Sequence, residues 1–165
     1  MLVWPLGPDR AAEWRDIRLT ALRDAPDAFD ATLADWQHRP LADFAQRLAD
    51  VPTFAAGDRV GAPLAVASWL AGLDPQHPRR GWLLAVFAHP QARGRGYADA
   101  AIRAAMADAS RSGADSMGLN VRATNIPAQR LYHRLGFRAV QGLRVTNAHG
   151  LPEIQMILSP LLPPQ

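Results

Sequence analysis

Seven apolar residues in a row, Trp-Leu-Leu-Ala-Val-Phe-Ala at 82–88, run into His89-Pro90-Gln91-Ala92 and then into Arg93-Gly94-Arg95-Gly96-Tyr97-Ala98. The run is the length of a buried strand, and the His-Pro pair ends it. Beyond it, Ala98, Ala101, Ile102, Ala105, Met106 and Ala109 recur with helical spacing and make one apolar stripe. Asp99 stands four residues before Arg103 on the other face, and Gly113 is placed to stop the helix. A buried strand feeding a basic, glycine-containing turn and then an amphipathic helix requires a sheet with a helix packed on it.

The first turn of such a helix presents unpaired N–H groups and the positive end of the macrodipole. Gly94 and Gly96 bring no side chains that would hold an anion off those groups, and Arg93 and Arg95 add charge suited to phosphate. A Walker A loop is excluded because the chain contains no lysine, and a dinucleotide fingerprint is disfavoured because Asp99 stands where Gly or Ala is required. On these residues alone, two readings stand: an anion site, or a plain strand-to-helix turn with incidental arginines.

Composition narrows the classes. The chain has 165 residues, a hydrophobic fraction of 48% and a charged fraction of 20%, which suit one domain with a real core, 1–165. The net charge of +3 comes from 18 arginines that form no stripe with interleaved aromatics, so no nucleic-acid partner is expected. Cysteine is absent, which excludes disulfides, thiolate metal sites and a cysteine nucleophile. The five histidines are scattered, and no metal site is expected. The N-terminus lacks a basic region followed by a long apolar one, and no apolar run approaches a membrane span; the expectation is a cytoplasmic protein with no membrane partner.

Taken in order, residues 2–6 read as a short edge strand cut by Pro5. Asp9 reads as the N-cap of a helix whose stripe, Trp14, Ile17, Arg18, Ala21 and Leu22, is broken by one arginine. Residues 23–35 read as a loop, and a second helix starts near Pro40 with Leu41, Phe44, Ala45 and Leu48 inward. Strands are predicted at 53–56, 64–70, 116–122, 137–145 and 153–158, a polar loop at 72–81 and a frayed tail at 160–165. Strands flanking the central helix must run parallel, because a helical crossover is no hairpin.

The second motif is Asn125-Ile126-Pro127-Ala128-Gln129-Arg130-Leu131-Tyr132-His133-Arg134-Leu135-Gly136-Phe137. Asn125 reads as a cap, Pro127 lies in the first turn, and Ala128, Leu131, Tyr132 and Leu135 make the apolar face. Taken alone, Tyr132 reads as a core aromatic.

Arg93 to Ala98 match Arg/Gln-x-x-Gly-x-Gly/Ala, and Asn-x-x-Ala-x-x-x-Tyr-x-x-x-Gly-Phe follows in order and at the right spacing. Over residues 2–158 the chain therefore resembles the GCN5-related (GNAT) acyl-CoA N-acyltransferases. The resemblance implies a single-domain α/β fold, a mixed and mostly antiparallel sheet whose central parallel strand pair is splayed around the acyl-CoA arm, flanked by helices. It implies that Val86, Phe87 and Ala88 line the pantetheine arm of acetyl-CoA, that Arg93, Gly94, Arg95, Gly96, Tyr97 and Ala98 bind its diphosphate, and that Asn125 contacts the arm. Tyr132 would lie by the thioester sulfur as the catalytic acid. The expected reaction is acetyl transfer to a primary amine by direct attack in a ternary complex, since no cysteine can carry the acetyl group. A homodimer is compatible with the resemblance. The alternative is an acyl-CoA-binding sensor of the same fold without turnover. Glu153, Asp27, Asp30 and His89 all remain as general-base candidates.

Overall fold

The strand predicted at 82–88 starts two residues earlier, as β4 (Arg80–Ala88), and the helix after it is α4 (Tyr97–Arg111). Our computed structural model describes residues 1–163. Before β4 come β1 (Leu2–Pro5), α1 (Ala11–Asp24), α2 (Leu33–Trp36), α3 (Leu41–Asp50), β2 (Thr53–Gly57) and β3 (Ala65–Ala71). After α4 come β5 (Ser116–Arg122), α5 (Ile126–Arg134), β6 (Arg138–Ala139), β7 (Val145–Thr146) and β8 (Pro152–Leu158). The strands form one sheet in the order β1-β2-β3-β4-β5-β8-β6, with β7 also on β8. Among the described residues, only β4 and β5 pair in parallel. That is the mixed, mostly antiparallel sheet expected, with Pro5 on its edge strand.

Two apolar layers sandwich the sheet. On one face, Ala101, Ile102, Ala105 and Ala109 of α4 pack on Ala67, Leu83, Met117 and Leu119. On the other, Trp14, Ile17 and Leu22 of α1 and Phe44 and Leu48 of α3 pack on Ala55, Val66 and Phe87. Each fully buried large side chain contributes roughly 1.5–3 kcal/mol, so these stripes hold the helices in place.

Several local expectations are corrected. Asp9 makes no capping bond, because a 3₁₀ turn at Pro8–Arg10 precedes α1. The stretch read as a loop before residue 35 contains α2, closed by a reciprocal capping box between Thr32 and Asp35. The strand predicted at 137–145 reduces to β6 and β7, two-residue pieces that each pair with a different part of β8. The polar loop after β3 is pinned, with Asp74 accepting from Arg80 at 2.8 Å. Leu161, where fraying was expected, is buried and its N–H donates to the Asp115 carbonyl at 2.7 Å; residues 164 and 165 lie outside the described residues.

The sheet divides at its centre. β4 and β5 pair only at Arg80/Ser116, Gly81/Met117 and Trp82/Gly118. There the Trp82 ring lies over Gly118, where a Cβ would run into it. Beyond that point β5 stays paired with β8 as far as Arg122, while β4 stays with β3 as far as Ala88, so the two half-sheets part. β4 also bulges: Val66 faces Phe87 and Ser68 faces Leu84, which leaves Ala85 and Val86 opposite Ala67 alone. Ala85 carries the bulge at φ +51°, a left-handed conformation unusual for a residue with a Cβ.

Candidate active site

The parted strands enclose a cavity of about 830 Å³, lined by residues 83–88 of β4, 119–122 of β5, the loop glycines 94 and 96, and Tyr132 of α5. Val86, Phe87, Ala88, Arg93, Gly94, Gly96, Tyr97, Ala98, Asn125 and Tyr132 all border it. The fold thus gathers around one space ten of the eleven residues that the resemblance assigned to the cofactor and the catalytic acid.

Gly94 and Gly96 take φ of +74° and +86°, values that L side chains resist. Among the described residues, the N–H groups of 94–99 donate to no backbone carbonyl; the helical ladder starts with Ala100 donating to Gly96. Six amides with the helix dipole behind them form a cradle suited to a diphosphate. The Arg93 guanidinium folds back to the Ala88 carbonyl at 3.3 Å and remains on the cavity wall.

Arg95 is the exception. Its guanidinium lies 3.8 Å from Asp58 and over the Tyr97 ring at 5.1 Å, turned toward the turn that joins β2 and β3 rather than to the cavity. Tyr97 is 3% exposed and its hydroxyl donates to Asp58 at 2.6 Å, a bond that raises the phenol's pKa. Its side chain therefore anchors the start of α4.

At the start of α5, the Asn125 side-chain oxygen Oδ1 accepts from the Ala128 N–H at 3.2 Å, so Asn125 is a helix cap and a cavity residue at once. Gln129, which the sequence did not single out, bonds the carbonyls of Arg122 and Ala123 at 3.1 and 3.0 Å and ties α5 to the end of β5. Tyr132 is 6% exposed and stacks edge-on against Phe137 with centroids 6.0 Å apart. Burial pushes its phenol well above the ordinary value near 10, so it remains a neutral donor. Arg130 and Arg134 also border the cavity. Their i, i+4 spacing was the available signal.

The base candidates lie apart from the lining. Glu153 on β8 sits opposite Arg122 in the ladder; burial first, then Asp30, raise its carboxyl, against the lowering pull of Arg122. Asp30 is engaged as acceptor for the Ala148 N–H at 2.9 Å, and the Asp27 carbonyl accepts from Asn147 at 3.0 Å. His89 packs edge-on against Phe87 at 5.7 Å. Two carboxylates lie on the cavity wall: Asp24, at the end of α1, and Asp99, in the first turn of α4, which accepts from Arg103 at 2.6 Å.

The family model of the acetyltransferase (GNAT) family matches residues 13–137, from α1 through the residue that follows α5's terminal glycine, including both motifs. The chain belongs to the GNAT acetyltransferase family. Acetyl transfer with acetyl-CoA as co-substrate goes with that membership. No curated protein matches the chain in sequence. Among solved structures, a ribosomal-protein-alanine N-acetyltransferase of Brucella melitensis is similar at 18% identity and TM-score 0.77, covering 96% of this chain and 99% of that one. A GNAT family acetyltransferase of Streptococcus pneumoniae is similar at 17% identity and TM-score 0.77, with 96% and 98% covered. A phosphinothricin acetyltransferase of Sinorhizobium meliloti in complex with acetyl-CoA is similar at 18% identity and TM-score 0.77, with 96% and 88% covered. At such identities the likeness is one of fold. The GNAT fold accounts for the divided sheet: β4 beyond Trp82 has an edge free of β5, along which an extended ligand can run.

Proposed function

We propose that this GNAT protein is an N-acetyltransferase that moves acetyl from acetyl-CoA to a primary amine by direct attack in a ternary complex. The observation that carries the reading is the parting of β4 and β5 beside six unpaired amides, with a buried tyrosine phenol on the wall between.

In this reading the amides of residues 94–99 hold the diphosphate, supported by the charge of Arg93, while the backbone of Val86, Phe87 and Ala88 pairs with the pantetheine arm and Asn125 flanks it. A backbone N–H near the bulge of β4 polarises the thioester carbonyl. The amine nitrogen attacks that carbon, the C–S bond breaks, Tyr132 donates a hydrogen bond and then a proton to the departing sulfur, and the proton shed by the acylated nitrogen passes to water, from which the phenol is reprotonated. Burial keeps the phenol protonated, which supports its hydrogen bond to the sulfur as charge develops there. The acceptor enters past Phe29 and Asp24, on the face where α1 ends.

The acceptor's own pKa sets the need for a base. An α-amine of pKa about 8 is roughly 10% neutral at pH 7, whereas an amine near 10.4 is neutral at about 0.04%. The lining carries two carboxylates, Asp24 and Asp99, and Asp99 is already paired with Arg103 at 2.6 Å, which favours the first kind.

The test is an amine panel with acetyl-CoA, reading free thiol beside a thermal shift. Thiol release that depends on an amine supports transfer; a thermal shift with no thiol from any amine would make the protein an acyl-CoA sensor, and neither signal would remove acetyl-CoA as its ligand.

A further inference from the structure

Arg18 is the one charge in the apolar stripe of α1, and the fold half-buries it. Its guanidinium carbon lies 5.2 Å from the Phe29 ring centroid and 5.9 Å from those of Trp14 and Trp36. Its Nε is the only buried side-chain nitrogen or oxygen among the described residues that has no hydrogen-bond partner. Facing it from α3 is Arg47, one turn after Phe44, whose ring meets Trp14 at 5.8 Å and Trp36 at 5.0 Å. Neither arginine forms an ion pair with any carboxylate among the described residues. Arg39, 4.7 Å from the Trp36 centroid, adds a third guanidinium and has Asp43 at 3.9 Å.

An arginine whose Nε is shut off from water normally has a carboxylate. Aromatic rings compensate the faces of a guanidinium and leave the N–H groups around its edge in need of acceptors. The environment bears this out: burial, then Arg47, hold the Arg18 pKa down to about 10, and burial lowers Arg47 as well, with Asp50 pulling the other way. Two neighbouring guanidiniums, neither of them ion-paired among the described residues and one set among Trp14, Trp36 and Phe29, leave N–H groups that an oxyanion can satisfy.

We propose that Arg18, with Arg47 beside it, binds an oxyanion, a carboxylate or a phosphate group, between α1 and α3. Phe29 belongs to both this site and the transfer cavity, so an acidic group on the acceptor is one source of the anion; a free phosphate is the other. The site does not depend on the transfer reaction being as proposed.

The test compares melting temperatures of the wild type and Arg18→Met in inorganic phosphate at tens of millimolar and in sodium chloride of equal ionic strength. Any phosphate bound at Gly94 and Gly96 contributes equally to both proteins and cancels in the difference. The phosphate shift of the wild type is expected to exceed that of Arg18→Met by about 2 °C or more, while in chloride the variant melts at or above the wild type because it has lost an uncompensated charge. Equal phosphate shifts, or a variant several degrees less stable in chloride with no difference in phosphate, would overturn the site and leave Arg18 as a stacking element. Arg47→Gln, on the half-buried side of α3, provides the same comparison should Arg18→Met fail to fold. The source is read from KM for amines with and without a carboxylate. A rise of about tenfold or more in Arg18→Met for the acidic amine alone assigns the anion to the acceptor. An unchanged ratio with the phosphate difference intact assigns it to a free anion.

Discussion

The Tyr97 hydroxyl and the Asp58 carboxylate, 39 residues apart in sequence, meet at 2.6 Å and lock the first residue of α4 to the turn between β2 and β3. The amides of residues 94–99 are displayed from that lock. Tyr97→Phe keeps the ring in the core and removes the bond. It is expected to raise KM for acetyl-CoA about three- to tenfold with kcat nearly unchanged, because the cradle loses its fixed geometry and not its donors. Steady-state kinetics with acetyl-CoA varied would check this, and a fall confined to kcat would contradict it.

Arg93 tests the cradle's charge. Arg93→Ala is expected to weaken acetyl-CoA by about 1–3 kcal/mol, with a smaller loss for a fragment that lacks the diphosphate. Equal losses for both ligands in calorimetry would mean that Arg93 acts through its bond to Ala88. Gly96→Val should be worse than Arg93→Ala, since it combines a branched side chain with φ +86°.

Ala85 tests the bulge. A β-branched residue at φ +51° is strained, so Ala85→Val is expected to lose about 1–3 kcal/mol in urea unfolding. Ala85→Gly should remain within about 1 kcal/mol of wild type, because relief of strain offsets the added freedom of the unfolded chain. Identical costs for both would show that the backbone relaxes.

For Tyr132, phenylalanine preserves the packing on Phe137 and removes only the donor. Tyr132→Phe should leave thermal stability and acetyl-CoA affinity nearly unchanged and lower kcat roughly 10- to 1000-fold. Wild-type turnover, measured where chemistry limits the rate, would rule out the acid role.

Glu153 gives a pH signature. Its carboxyl titrates above the ordinary value of 4.5 in the fold, from burial and Asp30, so the protonated form is the one that the fold favours. Its contribution to stability is present in full below about pH 4.5 and is lost as pH rises through the raised value. Glu153→Gln mimics the protonated form and should melt above wild type at pH 7, with the gap closing as pH falls toward 4.5. A gap that widens on acidification would mean that Glu153 is stabilised as the anion.

Arg93 to Ala98 and Asn125 to Phe137 were legible because turns, caps and helical stripes depend on neighbours within a few residues. From them follow the strand before α4, the side-chain-free glycines of the loop, the cap at Asn125 and the parallel pairing of β4 with β5. The partner of Tyr97, the direction taken by Arg95, the bulge at Ala85 and the shrinkage of 137–145 to two short pieces were not legible, because each is settled by strand register and contacts between distant segments. Arg18 shows the boundary. Its place in an apolar stripe is written in the sequence, but only the packing of α1 on α3 and of the loop through Phe29 decides that no carboxylate reaches it, since ion pairing is a matter of what the fold brings within a few ångströms.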